Sequence, residues 1–475
     1  MEWRVDLVWT ESYQLLLVVL LFIQSLNKRL QKPRMETWLP VMAALGIGVA
    51  LVNFDVQGEM LSGAYRIDKL SQFFKLMVAM GYAIVTLNAR RQPTLSEEKR
   101  ADYFLLIGLS VWGLMILASA VELITIYLAL ELSSYSLYAV VALRGRDRQA
   151  AEAAIKYIFF GAAATVIALY GFSYLLATQH TSYLSVMGTK SWSWASDAMA
   201  IVGLMMFLVG IFYKLALFPF HFWAPDVYQG ASNETAAYIA TLPKLGVLVV
   251  LVRLAALRPC VHVTHLLAIL AAVSMSYGNL AALVQRDIKR LLGYSAVAHA
   301  GYLMVGLVPG TLEGLDATVF YTLAYILMNF TCFWVVCRLA ADGRNLSLED
   351  FDGLYRRAPV LAFVLAVGVF SLVGLPPTAG FMGKLFLLTS VWNHGYNWLV
   401  VLAAVNTAVS LYYYLNMVRH AYTKDDHELG PAIRTDPLYS NGWGLVLAGL
   451  VLALGIMPGP VFNATVAASS QLIAH

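Results

Sequence analysis

Residues 203–230 read GLMMFLVGIFYKLALFPFHFWAPDVYQG. A long apolar run leads to Lys214, and Pro219 follows it. Proline removes a backbone donor and its ring clashes with the preceding turn, so this stretch reads as a helix interrupted just past a lysine. A second stretch, GLPPTAGFMGKLFLL at 374–388, repeats the theme, with Pro376 and Pro377 breaking an apolar segment shortly before Lys384. Backbone freed at membrane depth persists only where protein covers it or it lines a hydrated cavity.

Outward from these breaks the chain is uniformly apolar. It is 60% hydrophobic and 13% charged, with a mean hydropathy of +0.69; a soluble domain is about half apolar and about a quarter charged. Apolar windows of about 20 residues give roughly fourteen spans. Their centres fall near Val19, Leu45, Met80, Leu114, Ser133, Thr165, Leu208, Val247, Ala272, Ala298, Ile326, Val367, Ala408 and Val451. QGEMLSGAYRIDKL, at 57–70, reads as a short interfacial segment. The two breaks lie about five spans apart, an odd offset that reverses direction through the membrane and is the sequence trace of inverted repeats. The expected fold is therefore all-α: a polytopic membrane protein of about 14 transmembrane helices with two inverted five-helix repeats, each holding a broken helix. Expected boundaries are N-terminal helices at 1–99, repeats at 100–257 and 265–423, and a C-terminal helix at 424–475.

Basic residues fall on alternate loops. Lys28, Arg29, Lys32 and Arg34 follow the first span, and Arg90, Arg91, Lys99 and Arg100 the third. Arg144, Arg146 and Arg148 follow the fifth, and Arg286, Lys289 and Arg290 the ninth. Arg338, Arg344, Arg356 and Arg357 follow the eleventh, with Arg419, Lys424 and Arg434 after the thirteenth. The loop after the seventh has none, while the intervening loops carry few: Arg4, Arg66, Lys69, Lys190, Arg253 and Arg258. The positive-inside rule then places both termini outside. Acidic Glu2 and Asp6, without a small-residue cleavage site, argue for an ordinary first anchor over a cleaved signal.

Catalytic classes drop out. Cys260, Cys332 and Cys337 form no CxxC pair, and no nucleotide loop, HExxH or GxSxG occurs. No basic patch suggests nucleic acid. What remains is charge inside apolar runs: Glu131 in ITIYLALELSSYSLYAVVAL, Lys214, Lys244 in YIATLPKLGVLVVLV, and Lys384. A charge at bilayer depth costs at least about 2.5–3.5 kcal/mol on insertion scales and is by default functional. The plainer alternatives are a carboxylate held by Ser133, Ser134 or Tyr135, and lysines that snorkel to an interface. Burial lowers a lysine pKa and a nearby carboxylate raises it, so a Glu–Lys pair that moves apart releases a proton. His299, in KRLLGYSAVAHAGYLMVGL, is either a satisfied core residue or a neutral relay between lysines. Glu122 suits the start of its helix. His221 and Asp226 read as organisers of the first break or its cytoplasmic turn, and the Tyr412–Tyr414 run as packing.

Several stretches carry a resemblance: Leu128–Leu143, AAIKYIFFGAAAT at Ala153–Thr165, Tyr213–Ala231, Ile288–Leu303, Gly374–Leu388, and SLYYYLNMV at Ser410–Val418. In order and spacing the chain resembles the antiporter-like membrane subunits of respiratory complex I. That resemblance implies two half-channels around broken helices, and a proton-translocating axis of Glu131, Lys214, Lys244, His299 and Lys384. It implies no cofactor in this chain, with NADH, FMN, iron–sulfur clusters and quinone belonging to partner subunits. Partners would be other antiporter-like and small transmembrane subunits, lipid and protons, in a bacterial inner membrane. Lysine in GFMGKL, and a single span after the second repeat, favour one branch of the family. One departure stands: Ser232, Asn233, Glu234 and Thr235 replace a proline-rich A-P-x-P, so a different cap is expected there, with no role implied for Glu234. Rival readings are a subunit of a cation–proton antiporter, a scaffold whose charges fix helix register, and a subunit of a hydrogenase or photosynthetic complex.

Overall fold

The computed structural model describes residues 5–26, 35–90, 92–145, 147–189, 192–256, 261–423 and 437–472. Cys260 and twelve further residues noted above (Glu2, Arg4, Lys28, Arg29, Lys32, Arg34, Arg91, Arg146, Lys190, Arg258, Lys424 and Arg434) lie outside the described residues.

The described chain is helical almost throughout. The first helices are α1 (Trp9–Leu26), α2 (Met35–Val52), α3 (Lys69–Asn88), α4 (Arg100–Ser119), α5 (Leu123–Ala142) and α6 (Arg148–Gln179). Next come a single turn, α7 (Leu184–Met187), then α8 (Trp194–Leu215), α9 (Trp223–Gly230), α10 (Asn233–Ala256), α11 (Val261–Leu283), α12 (Ile288–Leu307) and α13 (Leu312–Leu339). A second turn, α14 (Leu354–Arg357), precedes α15 (Pro359–Val373), α16 (Ala379–Val391), α17 (Asn397–Tyr422), α18 (Pro437–Ile456) and α19 (Gly459–Ser469).

Every expected span centre falls inside one of these helices. Eleven of them are long and apolar enough to cross a membrane. The remaining spans differ for identifiable reasons. In α2 the apolar stretch is short, and α15 and α16 are two halves of one interrupted span. Helix α12 has ample length but carries Lys289, Arg290 and His299, and it is buried along nearly all of it. A helix apolar all round is either a core element or a lipid-facing one, and burial separates the two. The apolar window of α13 is 100% buried and that of α10 89%, against 28% for α6, whose Phe159 and Val166 point outward. Helices α10 and α13 are thus the packed spine.

Between α2 and α3 the expected interfacial segment is a small antiparallel hairpin, β1 (Gly58–Met60) with β2 (Tyr65–Ile67), in the register Gly58↔Ile67. Ser62 and Gly63 turn it with positive φ, and Asp68 then caps α3 by accepting from Ser71 N at 2.7 Å.

Both proline interruptions occur, and they are built alike. Helix α8 ends in left-handed Ala216, with Leu217 N donating back to Phe212 O at 2.9 Å. Helix α15 ends in left-handed Gly374, with Leu375 N donating back to Phe370 O at 3.0 Å. Each is the six-to-one closure of a Schellman cap. A cis peptide follows in each, Phe218–Pro219 and Pro376–Pro377. A serine hydroxyl then takes up a freed amide, Ser274 from Phe218 N and Ser371 from Gly380 N, both at 3.0 Å. By contrast Pro243 does not interrupt its helix: α10 runs through it.

Candidate functional site

The titratable groups gather in two clusters. The first lies where α5, α6 and α8 meet. Glu131 on α5 is 7% exposed; its Oε1 accepts from Thr165 Oγ1 on α6 at 2.8 Å, while Oε2 has no hydrogen-bond partner. Of the expected holders, Ser134 bonds Leu130 O and Ser133 bonds Ser110 on other faces of the helix, while Tyr135 stands beside the carboxylate. Lys214, in the last turn of α8, donates to Tyr138 OH at 3.0 Å and lies over the Tyr138 and Tyr213 rings. Gly161 makes this possible, since a Cβ there would fall 2.1 Å from the Tyr138 hydroxyl. Among the described residues no carboxylate comes within the 4.0 Å of an ion pair; Glu131 and Lys214 instead line one cavity of about 20 Å³, room for about one water.

The second cluster sits against α13. Lys244 donates to Tyr325 OH at 3.1 Å and to Ala296 O at 3.3 Å, and Tyr325 OH donates onward to Ala240 O at 3.0 Å. His299 on α12 bonds Tyr321 OH through Nδ1 at 2.6 Å and Tyr414 OH through Nε2 at 3.3 Å. Tyr414 also bonds Ser295. Lys384 donates to Val373 O at 2.8 Å and Leu372 O at 3.2 Å, and its ammonium lies 4.4 Å from the centre of the Tyr302 ring. Those carbonyls end α15, where the helix dipole favours a cation. The His299 ring stands 5.5 Å from Tyr325 and 6.0 Å from Tyr302, so aromatic side chains link the three groups.

None of the three lysines snorkels: Lys214, Lys244 and Lys384 are 8%, 1% and 5% exposed. Helix periodicity also splits the tyrosine run that reads as packing. Tyr412 faces outward, whereas Tyr413 bonds Asn279 and Tyr414 reaches His299. Tyr321 and Tyr325 carry no comparable signal in the sequence; both project from α13, far along the chain from the residues they serve.

A third set holds the end of α9. Asp226 pairs with Lys156 at 2.7 Å and Arg290 at 2.6 Å. Arg144 donates to the carbonyls of Gln229, Gly230 and Ala231, and Lys289 adds a bond to Ala231 O at 2.7 Å. His221 packs instead among Phe218, Phe222 and Tyr277. Glu122 caps α5, accepting from Thr125 N at 2.8 Å. Burial pushes its carboxyl up, but hydrogen bonds from Ser182 and Thr125 outweigh this and hold it below the usual carboxylate range. The altered start of α10 is indeed capped differently, by Ser232, whose hydroxyl accepts from Thr235 N at 3.2 Å; Glu234 beside it is buried.

Sequence reading passes over several buried charges, Glu11, Asp68, Asp316 and Lys75. Lys75 on α3 is 0% exposed and pairs with Glu11 of α1 at 2.6 Å. It stands inside the apolar run QFFKLMVAM, so the rule that singles out Lys214 applies to it too. No cluster suited to a metal ion occurs among the described residues.

Residues 120–410 match the family described as NADH:quinone oxidoreductase/Mrp antiporter, TM. The chain is 58% identical to NADH-quinone oxidoreductase subunit N 2 of Solidesulfovibrio magneticus, over 97% of this chain and 98% of that one. Among solved structures it is similar to a chain of respiratory complex I from Thermus thermophilus with bound aureothin, at 32% identity and a TM-score of 0.84, covering 96% of this chain and 99% of that one. A chain of the Mrp complex from Dietzia sp. shares the fold at 17% identity and a TM-score of 0.85, covering 99% and 98%.

Proposed function

This chain belongs to the NADH:quinone oxidoreductase/Mrp antiporter family of membrane subunits, in its subunit N branch, and on that premise we propose how it moves protons. In our reading it is a subunit of a proton-translocating NADH-quinone oxidoreductase and performs no redox step itself. NADH, FMN, iron–sulfur clusters and quinone would be held by partner subunits. It spans the bacterial inner membrane with both termini outside, beside other antiporter-like and small transmembrane subunits.

The observation that carries this reading is the pair of buried clusters, in which Lys214, Lys244 and Lys384 have no carboxylate within ion-pair distance among the described residues. A buried ammonium facing hydroxyls, carbonyls and rings keeps a proton only weakly against desolvation. A small change in the field around it is then enough to load or unload it. Quinone reduction elsewhere would bring Glu131 and Lys214 together across their shared cavity or drive them apart. The resulting charge shift passes to Lys244, through His299 and its tyrosines to Lys384, and a proton leaves outward. The two breaks of like construction support repeats at 100–257 and 265–423. The full-length likeness to a subunit N favours the quinone-reducing complex over a free-standing antiporter.

The test is proton-to-electron stoichiometry in liposomes containing the assembled complex. Lys214→Met should lower it while electron transfer to quinone continues. Unchanged stoichiometry in both Lys214→Met and Glu131→Gln would refute the relay.

A further inference from the structure

Away from the axis, polar atoms that are buried and have no hydrogen-bond partner gather between α1, α3 and α4. They are Thr10 Oγ1, Glu11 Oε2 and Gln72 Oε1 among the described residues, with Lys75 Nζ paired to Glu11; beside them Tyr82 OH has Gln14 as its hydrogen-bonding neighbour and Ser119 Oγ has Tyr65. Buried polar groups in native proteins nearly always have a partner, and water is the usual one where protein supplies none. These atoms do not scatter. Glu11 and Lys75 lie near the starts of α1 and α3, joined there by the Tyr65 hydroxyl, which donates to Glu11.

Deeper in, Gln14 donates to Gly108 O at 3.2 Å, and the Tyr82 hydroxyl lies 3.7 Å from the place a Gly108 side chain would occupy. Tyr82 is roughly 20 Å below the start of α3 at about 1.5 Å per residue. Tyr82 also interacts electrostatically with Tyr238 of α10, where a hydroxyl chain begins on another face of α4. Tyr238 OH of α10 donates to Ser110 Oγ of α4 at 2.8 Å, and Ser110 bonds Ser133 Oγ of α5 at 2.8 Å. That chain joins the helix bearing Lys244 to the helix bearing Glu131.

We infer that α1, α3 and α4 enclose a narrow hydrated passage from the membrane face where α1 begins to the hydroxyls of Tyr238, Ser110 and Ser133. Its cargo is water and protons, and the Glu11–Lys75 pair is its proton-binding element. On the reading above, which this inference extends, the passage opens outward and gives the first cluster its own exit.

The assembled complex supplies the test. Tyr82→Phe removes only a hydroxyl whose hydrogen-bonding neighbour is Gln14, so it should fold; a working passage predicts a fall in protons moved per electron comparable to that of Lys214→Met. Lys75→Met should behave likewise and Lys75→Arg should restore transport. Independently, Ser119→Cys in a background without the native cysteines should react with a charged, membrane-impermeant thiol reagent from the outside. Normal stoichiometry and unchanged or raised thermal stability in Tyr82→Phe, with no labelling at 119, would mean a dry structural seam and overturn the inference. If Lys214→Met lowers pumping while Tyr82→Phe does not, the passage fails and the axis stands. If neither does, the axis reading fails first.

Discussion

The two broken helices share a cap, a serine-held amide and a nearby lysine, yet they use the lysine differently. At the first break Trp223 Nε1 donates to Tyr213 O at 2.8 Å, so a neutral indole satisfies the carbonyl end of α8. Lys214 is left to face Tyr138 and the cavity it shares with Glu131. At the second break Lys384 is itself the cap, donating to Leu372 O and Val373 O. Among the described residues Glu131 has no counterpart beside Lys384. One lysine is thus free to answer a carboxylate, while the other is held by fixed dipoles. That difference suits a coupling element at one end of the axis and a release element at the other.

The comparison can be broken at several points. The largest effect is expected at Gly380, where a Cβ would lie 1.7 Å from Ser371 O. Gly380→Ala should cost at least about 3 kcal/mol and leave little assembled complex on a native gel. The charge swap Glu131→Lys with Lys214→Glu should assemble and reduce quinone but pump fewer protons. Normal pumping by the swap would favour a scaffold role for those charges.

Smaller effects separate the breaks by their left-handed residues. Gly374→Ala should destabilise by about 1–2 kcal/mol, and Ala216→Gly should stabilise by about 1 kcal/mol, because a side chain in that conformation is strained. Thermal unfolding of the detergent-solubilised complex reads both. Trp223→Phe removes one hydrogen bond at the first break and part of a buried ring stacked on Tyr157, together at least about 1 kcal/mol. It should lower pumping further if Lys214 turns to the freed Tyr213 carbonyl.

Much of this architecture is legible in the chain because lipid imposes simple rules. Apolar length marks the spans, and proline close to a lysine marks the breaks, Pro219 after Lys214 and Pro376 before Lys384. Burial of Lys214, Lys244 and Lys384 follows from their place deep in apolar runs, with no interface near enough to snorkel toward. The partners are another matter. Thr165, Tyr321 and Tyr325 reach their targets from helices remote in sequence, and no local spacing reports such a meeting. Helix α12 is legible as a span near Ala298, whereas its being surrounded by protein on nearly every side is not. Lys75 is passed over because the hairpin before α3 obscures where that span starts.

The central claim is that the buried lysines carry protons and do not merely hold helices together. Lys244, between the clusters, tests it most directly, through the proton-to-electron stoichiometry of reconstituted complex carrying Lys244→Met. Methionine keeps the bulk of the side chain and removes its charge. The account predicts intact assembly, continuing quinone reduction and clearly fewer protons moved per electron. The wild-type stoichiometry in that variant would contradict it.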